Sequence, residues 1–250
     1  VYATRPYSVT AEQEAKVREQ LATPEGREVQ RIFIEGLLRG IARNMILRGA
    51  VDAATISLDE LRTLAWQEFV DLRDTGELSL EAATDYSASI LEDARKFAAD
   101  GKVEYAFVFY GLYLEHLLNW AVRDGGIRCS LTKPEAIEIM KKSIYDKTGV
   151  MWVLLFGEPM PEELARDIRA VANLRNQFTH YKWAPDPDLY RTHDEVERQE
   201  REALGTAERA AEGLRRYIDE LIAPAESDVF EWLTDSDSAA ITALTEARSI

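Results

Sequence analysis

Cysteine is almost missing from this chain of 250 residues: Cys129 stands alone, which excludes an intrachain disulfide and any zinc site built on cysteines, and fits a reducing compartment. No run of 18 apolar residues occurs, and the opening VYATRPYSVT has neither the basic nor the apolar segment of a secretory leader. We therefore expect no membrane span, no signal peptide and a cytoplasmic location. Alternating apolar and polar stretches with hairpin punctuation are absent, which argues against a sheet. The Gly-rich phosphate loop, the Gly-x-Ser-x-Gly elbow and His-Glu-x-x-His are absent too, and with them the nucleotide-loop, serine-hydrolase and zinc-protease readings. Basic residues are outnumbered, 30 Lys and Arg against 45 Asp and Glu for a net charge of -15. That balance argues against a general nucleic-acid binder and gives no reason to expect DNA as a partner.

What the chain has is helix. With 46% hydrophobic residues it can bury a substantial core. Capping chemistry recurs at Thr10 and Gln13, Ser57 and Glu60, Thr132 and Glu135, and Thr192 and Glu195, where a hydroxyl satisfies an orphan N–H and the residue three places on reaches back. The patterning predicts an all-α protein with helices near 10–22, 26–48, 57–73, 79–99, 103–123, 134–146, 161–182 and 193–222, plus helical turns near 150–156 and after 227. Asp100 and Gly101 mark a boundary, and Ala184 to Asp188, with two prolines, must end the preceding helix. The expected organisation is a helical extension over 1–100, a helical domain over 101–222, and an acidic tail or docking helix over 223–250.

Charge is distributed unevenly. Residues 1–100 hold 12 basic against 18 acidic groups, 101–183 hold 11 against 10, and 184–250 hold 7 against 17. The middle segment alone has a positive sum, with Lys133, Lys141, Lys142 and Lys147 crowded together. A polyanion has its docking place there.

Two helices of that segment carry polar groups in unusual settings. Residues 103–123 are apolar almost all round, so this should be a central helix, on which Glu115 and Asn119 share one face and His116 lies about 100° away. A carboxylate on such a helix must be paired or line a polar cleft, or else touch solvent at an edge. On the 161–182 helix, Leu164, Ile168, Val171, Leu174, Phe178 and Tyr181 form an apolar arc with Arg175 at its margin, while Asn176 and His180 stack on the opposite side. A fixed cation, an amide and an imidazole thus fall within two turns, a set able to handle a phosphodiester.

Arg175, Asn176 and His180, together with Glu115 to Leu118 on the long apolar helix, resemble the HEPN superfamily of α-helical bundles. Its ribonuclease members carry an Arg, a polar residue and a His at this spacing, and the resemblance covers roughly 101–222. It implies an all-α HEPN-like bundle and a metal-independent endoribonuclease without cofactor, whose composite cleft forms where the motif helices of a homodimer meet. The partners it implies are RNA, a second copy, and an antitoxin or regulatory protein in a toxin or anti-phage setting. Under that resemblance Arg175, Asn176 and His180 are catalytic: His180 as general base on a 2′-hydroxyl or general acid on the leaving 5′-oxygen, Arg175 on the charge at phosphorus, and Asn176 positioning phosphate or imidazole. Glu115, Asn119 and Thr179 support the site, and Lys133, Lys141, Lys142 and Lys182 are candidate RNA contacts. The minimal nucleotidyltransferase-paired branch has a Tyr two residues after the His; here Tyr181 follows at once and position 183 is Trp, so that branch is not assigned. A catalytically silent HEPN dimer acting as a binding or regulatory module is the alternative.

Other groups have plainer explanations. His193 and Glu197 sit four apart, as metal ligands can, but Thr192 to Glu195 read as a helix start. Cys129 has no His near it in sequence, and the scattered tryptophans suit a core.

Overall fold

The computed structural model describes residues 10–76, 86–179 and 192–234. Every regular element among them is an α-helix: α1 (Ala11–Leu21), α2 (Pro24–Leu47), α3 (Leu58–Asp74), α4 (Ser87–Ala99), α5 (Val103–Arg128), α6 (Lys133–Met140), α7 (Ile144–Lys147), α8 (Val150–Phe156), α9 (Glu162–Thr179), α10 (His193–Glu220) and α11 (Asp228–Thr234). The expected caps form. The Thr10 hydroxyl accepts from the Gln13 N–H while Gln13 Oε1 accepts back from the Thr10 N–H at 2.9 Å, and Thr192 with Glu195 repeats the pattern. Ser57 accepts from the Glu60 N–H, and Thr132 N–H donates to Glu135 at 2.8 Å.

Three boundaries differ from expectation, each for a local reason. First, α5 continues past 123 to Arg128 and takes Gly125 and Gly126 into the helix. A Cβ on Gly125 would lie 2.8 Å from Leu155 Cβ and 3.1 Å from Phe156 Cζ, so glycine there lets α8 approach the α5 backbone. Second, the helix expected over 134–146 is broken into α6 and α7, because Ser143 caps a new turn by accepting from the Asp146 N–H at 3.1 Å. Third, Asp100 and Gly101 form the turn of a helical hairpin. Gly101 adopts φ 72°, and the Lys102 N–H returns to the Phe97 carbonyl at 2.9 Å, so α4 folds back on α5. Residues 77–85, part of the expected 79–99 helix, and Tyr181 and Lys182 at the end of the expected 161–182 helix lie outside the described residues.

Helix α5 is the axis of the larger core, packed against α4, α8, α9 and α10. Leu114, Leu118, Ala121, Ile168, Val171 and Leu214 are fully buried within it. A second core joins α2 and α3 through Leu38, Ala42, Leu61 and Ala65, and α11 closes it with Val229 and Trp232. The two cores therefore cut across the 1–100, 101–222 and 223–250 partition, with α4 on the α5 side and α11 on the α2 side. They are tied by Arg43 of α2, which donates to the buried Asp124 of α5 at 2.6 Å. Trp152 and Trp232 are core residues as expected, whereas Trp66 is exposed. No helix of the described residues is long and apolar enough to cross a membrane.

Candidate functional site

Helix α9 lies between α5 and α10 and buries Ala165, Ile168, Val171 and Ala172. Leu164, Leu174 and Phe178 of the expected arc are half-buried, and the Phe178 ring meets Tyr105 of α5 at 5.7 Å. Arg175 stands at the margin of this arc, with its side chain 26% exposed. Its aliphatic stem crosses α5 over Gly111, where a Cβ would come within 2.7 Å of Arg175 Cδ. A glycine in an otherwise apolar helix is the sequence signal of that crossing.

The guanidinium is held from two sides. Arg175 Nη1 donates to Glu115 Oε2 at 2.7 Å, and Nη2 donates to Asn176 Oδ1 at 3.3 Å. Thr179 closes the turn by donating its hydroxyl to the Arg175 carbonyl at 3.0 Å. Asn176 is half-buried against Arg175, so the side of α9 opposite the arc is not uniformly solvated. Glu115, 40% exposed, is both paired and open to solvent, so two of the outcomes expected for a carboxylate on α5 hold together. Its neighbour on the same face, Asn119, accepts through Oδ1 from Lys147 Nζ at 2.7 Å.

Lys147 is placed differently from its sequence reading. It is 1% exposed, at the end of α7, and its Nζ lies 4.0 Å from Glu115 Oε1. Burial pushes its pKa below the usual lysine value and the adjacent Arg175 pushes the same way, while Glu115 opposes both. It is therefore not a surface contact for a polyanion. Of the other lysines, Lys133 and Lys142 are exposed and Lys141 pairs with Glu138 at 2.5 Å. The structure thus brings together Arg175, Asn176, Glu115, Asn119 and Thr179, and leaves Lys133, Lys141 and Lys142 on and just after α6. His180 and Lys182 lie outside the described residues.

At 100° per residue, Arg169, Asn173 and Asn176 fall within about 60° of one another on α9. On this flank opens a shallow cleft of ≈ 690 Å³, lined in part by Tyr145, Thr148, Arg166, Arg169 and Asn173. Arg169 is anchored by donating to the hydroxyl and carbonyl of Thr148 at 3.0 and 3.1 Å and sits 5.7 Å over the Tyr145 ring, whose hydroxyl donates to Asn173 at 2.7 Å. Sequence reasoning passed over these groups because their partners lie 21 to 28 residues away. Elsewhere Trp120 donates to His116 at 3.0 Å, and Glu208 of α10 accepts from Arg95 of α4 and Tyr110 of α5, pinning three helices. Among the described residues no three His, Cys, Asp or Glu side chains converge as metal ligands. The chain matches no protein-family model, and no curated protein or solved structure is significantly similar to it.

Proposed function

We propose that this protein is a metal-independent endoribonuclease of HEPN type, cutting RNA in a composite cleft formed by the motif helices of two copies. The observation that carries this reading is the ion pair between Arg175 and Glu115. It couples the motif arginine to the apolar central helix and holds a permanent planar cation half-buried at the edge of the core. A guanidinium fixed in this way has little to reorganise when charge develops on phosphorus. Asn176 is hydrogen-bonded beside it, and His180 follows four residues later in sequence, an imidazole being the side-chain type suited to proton transfer near neutral pH. One chain offers one imidazole; a second copy across a two-fold axis supplies another and excludes water between them. By the resemblance, the setting is a toxin or an anti-phage effector.

The engagement of both terminal Arg175 nitrogens within the chain favours a second reading, a silent HEPN dimer that serves as a binding or regulatory module. Incubation of RNA with purified protein in EDTA separates the two. The ribonuclease leaves 2′,3′-cyclic phosphate ends and loses activity on His180→Ala and on Arg175→Ala. Full activity in His180→Ala, or strict dependence on added Mg²⁺, refutes this assignment.

A further inference from the structure

Two cations and one carboxylate meet where α5, α7 and α9 converge. Glu115 Oε2 accepts from Arg175 at 2.7 Å, and Glu115 Oε1 faces Lys147 Nζ at 4.0 Å. Asn119 takes the closest hydrogen bond from that ammonium, at 2.7 Å. The three differ in access: Lys147 is sealed at 1% exposure, whereas Glu115 and Arg175 reach the surface. Burying an ammonium is costly, and an apolar side chain of similar volume usually serves a core as well or better. Core packing therefore gives no reason for a lysine at this position.

The charge count gives one. Arg175 and Glu115 by themselves make a neutral pair, in which the carboxylate cancels the field that would attract an anion. Lys147 stands behind the carboxylate, and with it the cluster carries a net charge of +1, expressed at the surface through Arg175. Because the ammonium is sealed from solvent, its field reaches the guanidinium with less screening than a surface lysine would suffer. We propose that Lys147 is a positioning residue for anion recognition: it offsets Glu115 from the inside, so that Arg175, although ion-paired, presents net positive charge to a phosphodiester of single-stranded RNA. The identity of the anion rests on the function proposed above, whereas the role of Lys147 does not require cleavage.

The test uses an uncleavable probe, a single-stranded 2′-O-methyl RNA octamer, bound to the full chain at fixed pH and low salt. A unit charge about 10 Å from the bound phosphate, at an effective dielectric near 20, changes affinity about tenfold. Lys147→Met should weaken binding about tenfold while thermal stability is held or raised. Glu115→Gln should strengthen binding by a similar factor, even though it loosens the hold on Arg175. Opposite signs support the proposal. Weakening in both variants, or no change in either, shows Lys147 and Glu115 to be structural and overturns it, as does wild-type protein that fails to bind. Should Lys147→Met not fold, tighter or unchanged binding by Glu115→Gln decides alone. Cleavage of ordinary RNA is measured alongside: opposite signs without cleavage sink the ribonuclease reading only, and cleavage with same-sign effects sinks this proposal only.

Discussion

Replacing Gly111 by alanine isolates the packing of Arg175 from its charge. The added Cβ would sit 2.7 Å from Arg175 Cδ, with Cβ and Cγ at 3.2 and 3.3 Å. Carbon atoms prefer about 3.5–4.0 Å. The stem must therefore move about 1 Å off α5, taking the guanidinium with it. Two energies compete: alanine gains about 1 kcal/mol over glycine inside a helix, while overpacking costs about 1–3 kcal/mol. Gly111→Ala should thus range from neutral to about 2 kcal/mol destabilising in urea unfolding. In an Arg175→Ala background the Cδ and Cγ contacts are gone and the remaining Cβ, at 3.2 Å, need give only slightly, so the same change should stabilise by up to about 1 kcal/mol. The resulting double-mutant coupling is about 1–3 kcal/mol, well above additive scatter. If Gly111→Ala stabilises both backgrounds equally, the stem does not cross α5 at Gly111. In the single variant RNA cleavage should fall about 100-fold, the cost of a displacement of about 1 Å in a reacting group.

Three further outcomes are expected. Thr179→Glu, next to the motif at the end of α9, should weaken both dimerisation and cleavage; sedimentation showing a monomer that cuts at full rate would remove the composite cleft. Lys147 has a depressed pKa when folded, so on raising pH the folded chain loses that proton before the unfolded chain does. Its charged form penalises folding below the depressed value, and the penalty disappears as pH rises to the ordinary lysine value of about 10.4. Lys147→Met should be stabilised most, relative to wild type, at neutral pH, and that advantage should shrink at alkaline pH in urea titrations; a constant difference contradicts the shift. Glu35 accepts from Arg62 at 2.6 Å and from Trp232 Nε1 at 2.5 Å. Burial pushes its pKa up, but those two hydrogen bonds prevail and hold it low. Its contribution is therefore complete above the ordinary carboxylate range and lost on acidification through the folded value. Glu35→Ala should cost about 1–3 kcal/mol and speed amide exchange in α11 more than in α5.

Helix starts were legible in the sequence because a cap is a local transaction, settled within four residues; Thr10, Thr132 and Thr192 form the reciprocal box as read, and Ser57 forms its hydroxyl half. The central helix was legible because no surface helix is apolar all round. Contacts between distant segments were not. Nothing near Lys147 in sequence distinguishes it from Lys141 and Lys142; its burial is set by Asn119 and Glu115, 28 and 32 residues earlier. Gly125 fell beyond the expected 103–123 helix because the α8 side chains that pack on it are 30 residues on. At the site, the cost of an unpaired carboxylate on an apolar helix marked Glu115 as notable but did not name Arg175 as its partner, and the anchoring of Arg169 by Thr148 had no sequence signature.

The placement of α11 bears on how the chain assembles during its own synthesis. Helices α2 and α3 emerge early, yet Trp232 and Val229, which cover their apolar face, are made more than 150 residues after α3 ends. Until then Leu38, Leu61 and Phe69 lack their cover, and closing so long a loop is intrinsically slow. The helices around α5 have all been synthesised by residue 220, so their core has its full set of elements before α11 is made. The nascent protein therefore passes through a stage in which the α5 core has all its helices while α2 and α3 still expose a sticky surface, a point at which chaperone binding or aggregation competes with native closure.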